Sequence, residues 1–241
     1  MTPDGAPALV TGASSGIGEA LARRLAGRAA PLVVTGRDSD RLDTVARATG
    51  GHGVVADLTT TAGRAAVVEA CGQRGVGLVV HAAGIGAAGS FTDADEATVG
   101  AVLAADLVAP VQLTRALWPA VCRAGGHVVF VASIAALGVA GEAAYSSAKA
   151  GLRTFADALR LEEPGVGVTT VLPGVVDTPF LARRGYDRRV PRPVPADRVA
   201  AETLRAVEHG RAEVFVPRWL RVASVVQGAA PGFYRRCAPR S

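Results

Sequence analysis

Asparagine does not occur in this sequence, and lysine occurs once, as Lys149 in "YSSAK", although the chain carries 26 basic residues. Arginine fills every other basic position. The three cysteines, Cys71, Cys122 and Cys237, are far apart and odd in number, which fits reduced cytosolic thiols better than a disulfide framework. The four histidines pair with no cysteine at ligand spacing, so no metal site is expected. Aromatic residues make up only 5%, so the net charge of +5 lacks the interleaved stacking side chains of a nucleic-acid surface. No apolar run reaches the roughly 18 residues of a membrane span, and "MTPDGAPALV" lacks the basic and apolar regions of a signal peptide. A soluble, cytoplasmic protein without stable membrane insertion is the expectation.

What is present suffices for a sizeable core, with 49% hydrophobic and 20% charged residues over 241 positions. Short β-branched runs alternate with Ala/Leu/Arg segments of helical period. "PALVT", "PLVVTG", "GVVAD", "GLVVHAAG", "GHVVFVAS" and "VGVTTVLPG" read as strands, and residues 16–28, 39–49, 60–74, 95–122 and 143–163 as helices. This βαβ rhythm predicts an α/β fold: one doubly wound domain over residues 1–241, with a mostly parallel seven-stranded sheet and helices on both faces. Residues 178–198, with Pro191, Pro193 and Pro195 among arginines, read as an irregular lid loop. A helix over 196–208 and the strand "EVFVP" follow. Residues 217–241 form an amphipathic tail, helical to Gly228, with Trp219, Val222, Val225 and Val226 on one side. Packing against the domain or a sister subunit is preferred for that side over contact with a membrane surface.

"VTGASSGIGEAL" follows the first strand directly. Of Gly12, Gly16 and Gly18, one permits a tight turn, another close approach of a pyrophosphate and the third close packing of helix and strand, while Ser14, Ser15 and Ile17 complete a loop that opens a helix N-terminus. The pattern points to a dinucleotide. At the end of the second strand stands Arg37, where an acidic residue would serve an adenosine ribose and a basic one a 2′-phosphate. That choice favours NADP(H) over NAD(H).

Tyr145 and Lys149 are four apart on a predicted helix, hence on one face. Tyrosine ordinarily titrates near 10, so proton exchange near neutrality requires lowering by about 3 pH units, or about 4 kcal/mol. One positive charge at ~4 Å in an effective dielectric of ~20 supplies about that much. Arginine would bring the charge, but its planar fork neither releases a proton readily nor fits a ribose as a compact ammonium does. Ser133 closes the fifth strand, where ligands of open α/β sheets bind, and its hydroxyl can hold a carbonyl near Tyr145.

"TGASSGIG", Ser133, "YSSAK" and "PGVVDTP", in this order, resemble the short-chain dehydrogenase/reductase family over nearly the whole chain. The resemblance implies a Rossmann fold and hydride transfer between a nicotinamide and a carbonyl or alcohol. Tyr145 would be the acid/base, Lys149 would bind the nicotinamide ribose, and Ser133 would orient the substrate. It further implies that Asp57 and Leu58 flank the adenine, that Gly84 lines the ribose site, that Thr178 reaches the nicotinamide carboxamide, and that Ala83, Pro173, Gly174 and Val176 also bind the cofactor. Homodimers or homotetramers are the rule for such proteins. Two departures stand out: "HAAG", His81 to Gly84, replaces the family's N-N-A-G, and Asp106 occupies the position of an asparagine that anchors a water chain to the lysine. An ionised Asp106 near Lys149 would hold the ammonium charged. His81, at a strand end, reads as a structural hydrogen-bonding residue rather than an acid/base.

The expected activity is NADP(H)-dependent oxidoreduction of a small-molecule carbonyl/alcohol pair. The alternative is a catalytically weak or inactive nucleotide-binding regulatory protein of the same fold. Substrate walls are expected from residues 134–142, 86–91 and 178–198, with Arg183, Arg184, Arg188 and Arg189 near the rim.

Overall fold

The computed structural model describes residues 5–72, 76–182 and 192–237. Seven strands form one sheet: β1 (Ala8–Thr11), β2 (Leu32–Gly36), β3 (His52–Val55), β4 (Leu78–His81), β5 (His127–Val131), β6 (Gly167–Pro173) and, at the far edge, β9 (Glu213–Val216). The order is β3-β2-β1-β4-β5-β6-β9, and every pairing is parallel. A two-stranded ribbon, β7 (Val176–Asp177) with β8 (Val194–Pro195), lies outside it. The helices are α1 (Gly16–Leu25), α2 (Ser39–Thr49), α3 (Thr61–Cys71), α4 (Glu96–Leu103), α5 (Ala109–Arg123), α6 (Ala143–Glu162), α7 (Pro179–Ala182), α8 (Ala196–Glu208), α9 (Leu220–Ala229) and α10 (Pro231–Cys237).

Central strands of a parallel sheet are covered on both faces, which is why β1, β4 and β5 are buried at every position. One layer packs α1, α2 and α8 on one face around Leu21, Val34 and Val199. The other brings α3, α5 and α6 to Leu113, Phe130 and Leu152. The chain reverses direction across the sheet between β1 and β4. At that switch point the strand C-termini open a crevice.

Several expected boundaries move. Helix α1 stops at Leu25 rather than Arg28, because Ala26 leaves helical dihedrals and Gly27 takes a left-handed conformation. The segment expected as one regular helix contains a π-helical turn, Ala104–Val108, between α4 and α5. The run Glu96–Arg123 is long and apolar enough to cross a membrane, but Val102, Leu113, Leu117 and Val121 are buried in the domain. Where an irregular lid was expected, β7, β8 and α7 bracket the segment. Arg183, Arg184, Arg188 and Arg189 lie outside the described residues. The tail bends at Ala230 into two helices, and only Leu220 of α9 is buried.

Candidate active site

The glycine loop between β1 and α1 is dictated by contacts that a Cβ would destroy. A Cβ on Gly12, whose φ is +67°, would lie 2.7 Å from the Ala83 backbone, and one on Gly18 would lie 2.3 Å from the Gly12 carbonyl oxygen. Thr11 Oγ1 accepts hydrogen bonds from the Ala82 and Ala83 N–H groups, both at 3.1 Å, and so ties β1 to the segment after β4. The loop therefore presses against the sheet's C-terminal edge, and the N-terminus of α1 faces the crevice.

A cavity of about 370 Å³ occupies that crevice. Gly12, Ser14, Ser15, Gly16 and Ile17 form its floor; Arg37, Asp57 and Leu58 close one end. Ala83, Gly84, Pro173, Gly174, Val176 and Thr178 line the middle, and Ser133, Tyr145 and Lys149 the other end. Two residues expected at the site stand behind its wall. Gly18 lies under the loop and serves packing, because its missing Cβ lets α1 approach Gly12; Asp106 lies behind Lys149.

At the Arg37 end, the neighbouring Asp38 is engaged by Arg41. Its carboxylate caps α2 by accepting from the Arg41 N–H at 3.1 Å and pairs with Arg41 Nε at 3.3 Å. Arg37 and Arg41, both exposed, also line the cavity. Asp57 accepts from the Thr59 N–H at 2.9 Å and hydroxyl at 2.7 Å. The Thr59 N–H chiefly, then its hydroxyl and the nearby Arg37 charge, hold the Asp57 carboxyl below the usual carboxylate range.

The opposite end is built by β5, α6 and the π-helical turn. Ser133 lies two residues beyond β5 rather than closing it; its backbone stays extended, and its Oγ accepts from the Ala135 N–H at 3.1 Å, capping a 3-10 turn over Ile134–Leu137. The buried stripe of α6 runs through Tyr145, Ala148, Lys149, Leu152 and Ala156 at helical spacing, so Tyr145 and Lys149 are carried inward by the same face that anchors the helix. Lys149 Nζ stands 5.5 Å from the centre of the Tyr145 ring, donates to the Val131 carbonyl at 3.0 Å, and lies 3.2 Å from Asp106 Oδ2. The other carboxylate oxygen, Oδ1, accepts from the Ile85 N–H at 2.7 Å. Asp106 is fully buried and reaches both partners from the π-helical turn, a local widening that helices use where a side chain must be re-aimed. Gly84 belongs to the same assembly, since its Cβ would fall 3.0 Å from Asp106 Oδ2.

Apolar side chains complete this end. The Phe180 ring lies 5.9 Å from that of Tyr145, and Ile85, Ile134, Val139 and Leu181 stand in the wall. Two charged groups were not singled out from the sequence: Arg41 at the Arg37 end, and here Glu142, 4% exposed, three residues before Tyr145. The place of Glu142 in a wall segment was legible, but its burial depends on the 3-10 turn packing onto α6, which no local pattern announces. His81 takes the structural role expected of it. Its Nε2 is 2.8 Å from Thr114 Oγ1, its ring stacks on Phe130 at 5.1 Å, and burial lowers its pKa to about 3. The buried Cys71 thiol is pushed up to about 11 by desolvation, which makes it a poor nucleophile.

Residues 6–189 match the short chain dehydrogenase family. The chain is 37% identical over 189 residues to "Probable oxidoreductase EphD" of Mycobacterium tuberculosis, a match covering 73% of this chain and 32% of that protein, so the chain spans about a third of that relative's length. It is 33% identical over 232 residues to "Ketoacyl reductase HetN" of Nostoc sp., covering 89% of this chain and 79% of the relative. Among solved structures, a short-chain dehydrogenase from Sphingobium yanoikuyae in complex with NADPH superposes with a TM-score of 0.82 at 28% identity, covering 92% of this chain and 94% of that one. The chain belongs to the short-chain dehydrogenase/reductase family of oxidoreductases.

Proposed function

We propose that the protein is an NADP(H)-dependent oxidoreductase that interconverts a carbonyl compound and the corresponding secondary alcohol, with Tyr145 as the acid/base. One observation carries this reading: the single lysine of the chain is buried 5.5 Å from the ring of a buried tyrosine, at the end of a crevice whose other end holds Arg37 and Arg41. The crevice fits a dinucleotide. Its floor is a glycine loop whose close backbone packing at Gly12 and Gly18 admits no Cβ, and the α1 N-terminus offers N–H groups and partial positive charge to phosphates. Arg37 and Arg41 would meet a 2′-phosphate, and Thr178, Pro173 and Gly174 would flank the pyridine ring. The NADPH complex of the Sphingobium relative supports this cofactor choice, and the ketoacyl reductase name of the Nostoc relative supports a ketone substrate.

When bound, the nicotinamide supplies or accepts the hydride. The chain's own residues manage the proton. On reduction, the Ser133 hydroxyl donates to the substrate carbonyl oxygen, and Tyr145 Oη delivers the proton to it; on oxidation Tyr145 Oη receives the proton back. The Lys149 ammonium favours the phenolate. Asp106 and the Val131 carbonyl are positioning groups that fix Lys149 beneath Tyr145. Ile85, Ile134, Val139 and Phe180 exclude water from the substrate end.

The test is a panel of ketones and aldehydes with NADPH, followed by absorbance, on the parent and on Tyr145→Phe. Turnover by the parent is expected, together with at least a thousandfold loss in the variant while NADPH still binds. Activity of Tyr145→Phe within tenfold of the parent would remove Tyr145 from its role. The buried Asp106–Lys149 pair is the one feature favouring a nucleotide-binding regulator without turnover, and NADPH binding with no oxidation across a broad panel would favour that reading instead.

A further inference from the structure

The charge of this protein is not spread over its surface. Beyond Glu213 the sequence has no aspartate or glutamate, while Arg218, Arg221, Arg235, Arg236 and Arg240 all fall there. These five arginines account for the whole net charge of +5, and the preceding 213 residues balance 21 basic against 21 acidic side chains. The same stretch carries four of the exposed large apolar side chains: Trp219 (56% exposed), Val222 (64%), Val225 (60%) and Phe233 (60%).

The inward face of α9 is occupied. Leu220 packs with Leu172 and Phe215, and Ser224 Oγ accepts from Arg153 Nη2 at 3.2 Å, Arg153 being held in turn by Glu213 at 2.6 Å. That anchoring turns Val222 and Val225 outward, so of the two partners expected for the tail's apolar side, the domain or a sister subunit, the chain's own domain does not cover them. Arg218 lies 3.8 Å from Glu202, but among the described residues no ion pair reaches Arg221, Arg235 or Arg236.

We propose that α9 and α10 form a docking surface for an anionic lipid bilayer, with Trp219, Val222, Val225 and Phe233 entering the interface and Arg221, Arg235 and Arg236 meeting the phosphate headgroups. Two copies of this chain are a poor alternative. A twofold contact sets the same patch against itself, and here that would oppose two sets of arginines with no carboxylate between them. A lipid surface matches both halves of the pattern. Tryptophan is favoured at the boundary between headgroup and hydrocarbon, apolar helix faces bury there, and each arginine near an anionic surface gains about 1 kcal/mol, a factor of about five. The surface is also mechanically close to the site, because Ile134 packs in the Leu220 cluster and lines the cavity.

The full chain is tested by co-sedimentation with vesicles of phosphatidylcholine, with and without phosphatidylglycerol, at low and raised salt. Expected are binding to the phosphatidylglycerol vesicles at least tenfold tighter than to phosphatidylcholine alone, weakening with salt, and at least a tenfold loss in Arg235→Glu with Arg236→Glu. Trp219→Ser with Val222→Ser should lose binding comparably; Phe233→Ser serves if that pair fails to fold, judged by circular dichroism. No sedimentation with phosphatidylglycerol vesicles at low salt overturns the proposal, as does equal binding to both compositions. So does a soluble oligomer that the Trp219→Ser, Val222→Ser pair dissociates while vesicle binding stays unchanged, for that result makes the face a contact between copies.

Discussion

Asp106 and Lys149 form a fully buried ion pair of 3.2 Å, in which the carboxylate also accepts from the Ile85 N–H and the ammonium also donates to Val131. A negative charge this close offsets part of the field that Lys149 exerts at Tyr145. Asp106→Asn keeps an oxygen for the Ile85 N–H and removes the charge. Because Tyr145 must be deprotonated to accept the alcohol proton, the acidic limb of the pH profile for oxidation is expected to move about one unit lower in Asp106→Asn. A limb that stays in place shows that the carboxylate charge is not felt at Tyr145. Asp106→Ala is a different change, since it leaves a buried ammonium without its carboxylate; a loss of about 3 kcal/mol in urea unfolding is expected.

Lys149 is enclosed by Asp106, Val131 and Tyr145, with 4% of its surface exposed. Lys149→Arg keeps the charge and adds a planar fork that needs more room and more acceptors than this enclosure offers. Turnover should fall at least a hundredfold, and the affinity for NADPH should fall as well, measured by fluorescence titration. Activity near that of the parent would mean that charge alone, not ammonium shape, kept lysine at the one position where arginine did not replace it.

Tyr145, Lys149, Ser133 and the glycine loop were legible because each depends on near neighbours in sequence: an i, i+4 helix pair, a strand end, a strand-to-helix turn. The seven strands were legible for the same reason, since β-branched runs bounded by Gly and Ala announce themselves. The Asp106 contact was not fixed by spacing, as it depends on a π-helical turn that shifts Asp106 within an unbroken apolar helix and leaves the hydrophobic periodicity almost unchanged. The β7–β8 ribbon escaped notice because two residues per strand carry no alternation to read. Glu142 escaped because burial of a charged residue is a tertiary outcome.

Arg37 stands beside Asp38, whose carboxylate is taken up by the α2 cap and by Arg41. Arg37→Asp replaces a donor fork with an acceptor suited to ribose hydroxyls, and brings a second carboxylate near Asp57. The ratio of NADP to NAD efficiency, measured as kcat/KM, should fall by about a hundredfold, in line with ~2 to 3 kcal/mol for a charge-assisted contact to phosphate. An unchanged ratio would transfer the discrimination to Arg41.

Two buried histidines make the fold sensitive to acid well above the carboxylate range. Burial lowers His81 to about 3 and His127 to about 4, against about 6.5 in an unfolded chain. Thr169 donates its hydroxyl proton to the Arg211 carbonyl at 2.7 Å, so His127 Nε2, 2.8 Å from the same oxygen, must be the donor. Its Nδ1 faces Gly167, where a Cβ would fall at 2.1 Å, so the ring is packed against the backbone and shielded from water. Between the folded and unfolded values the unfolded chain binds more protons, so stability is complete above about pH 6.5 and declines as pH falls toward 4. Each histidine contributes at most about 1.4 kcal/mol per pH unit within that window. The thermal midpoint should therefore drop by several degrees between pH 7.5 and pH 5.5. His81→Gln combined with His127→Gln should start lower at pH 7.5 but lose markedly less over the same interval. An equal loss in that variant would place the acid sensitivity elsewhere, among the paired carboxylates.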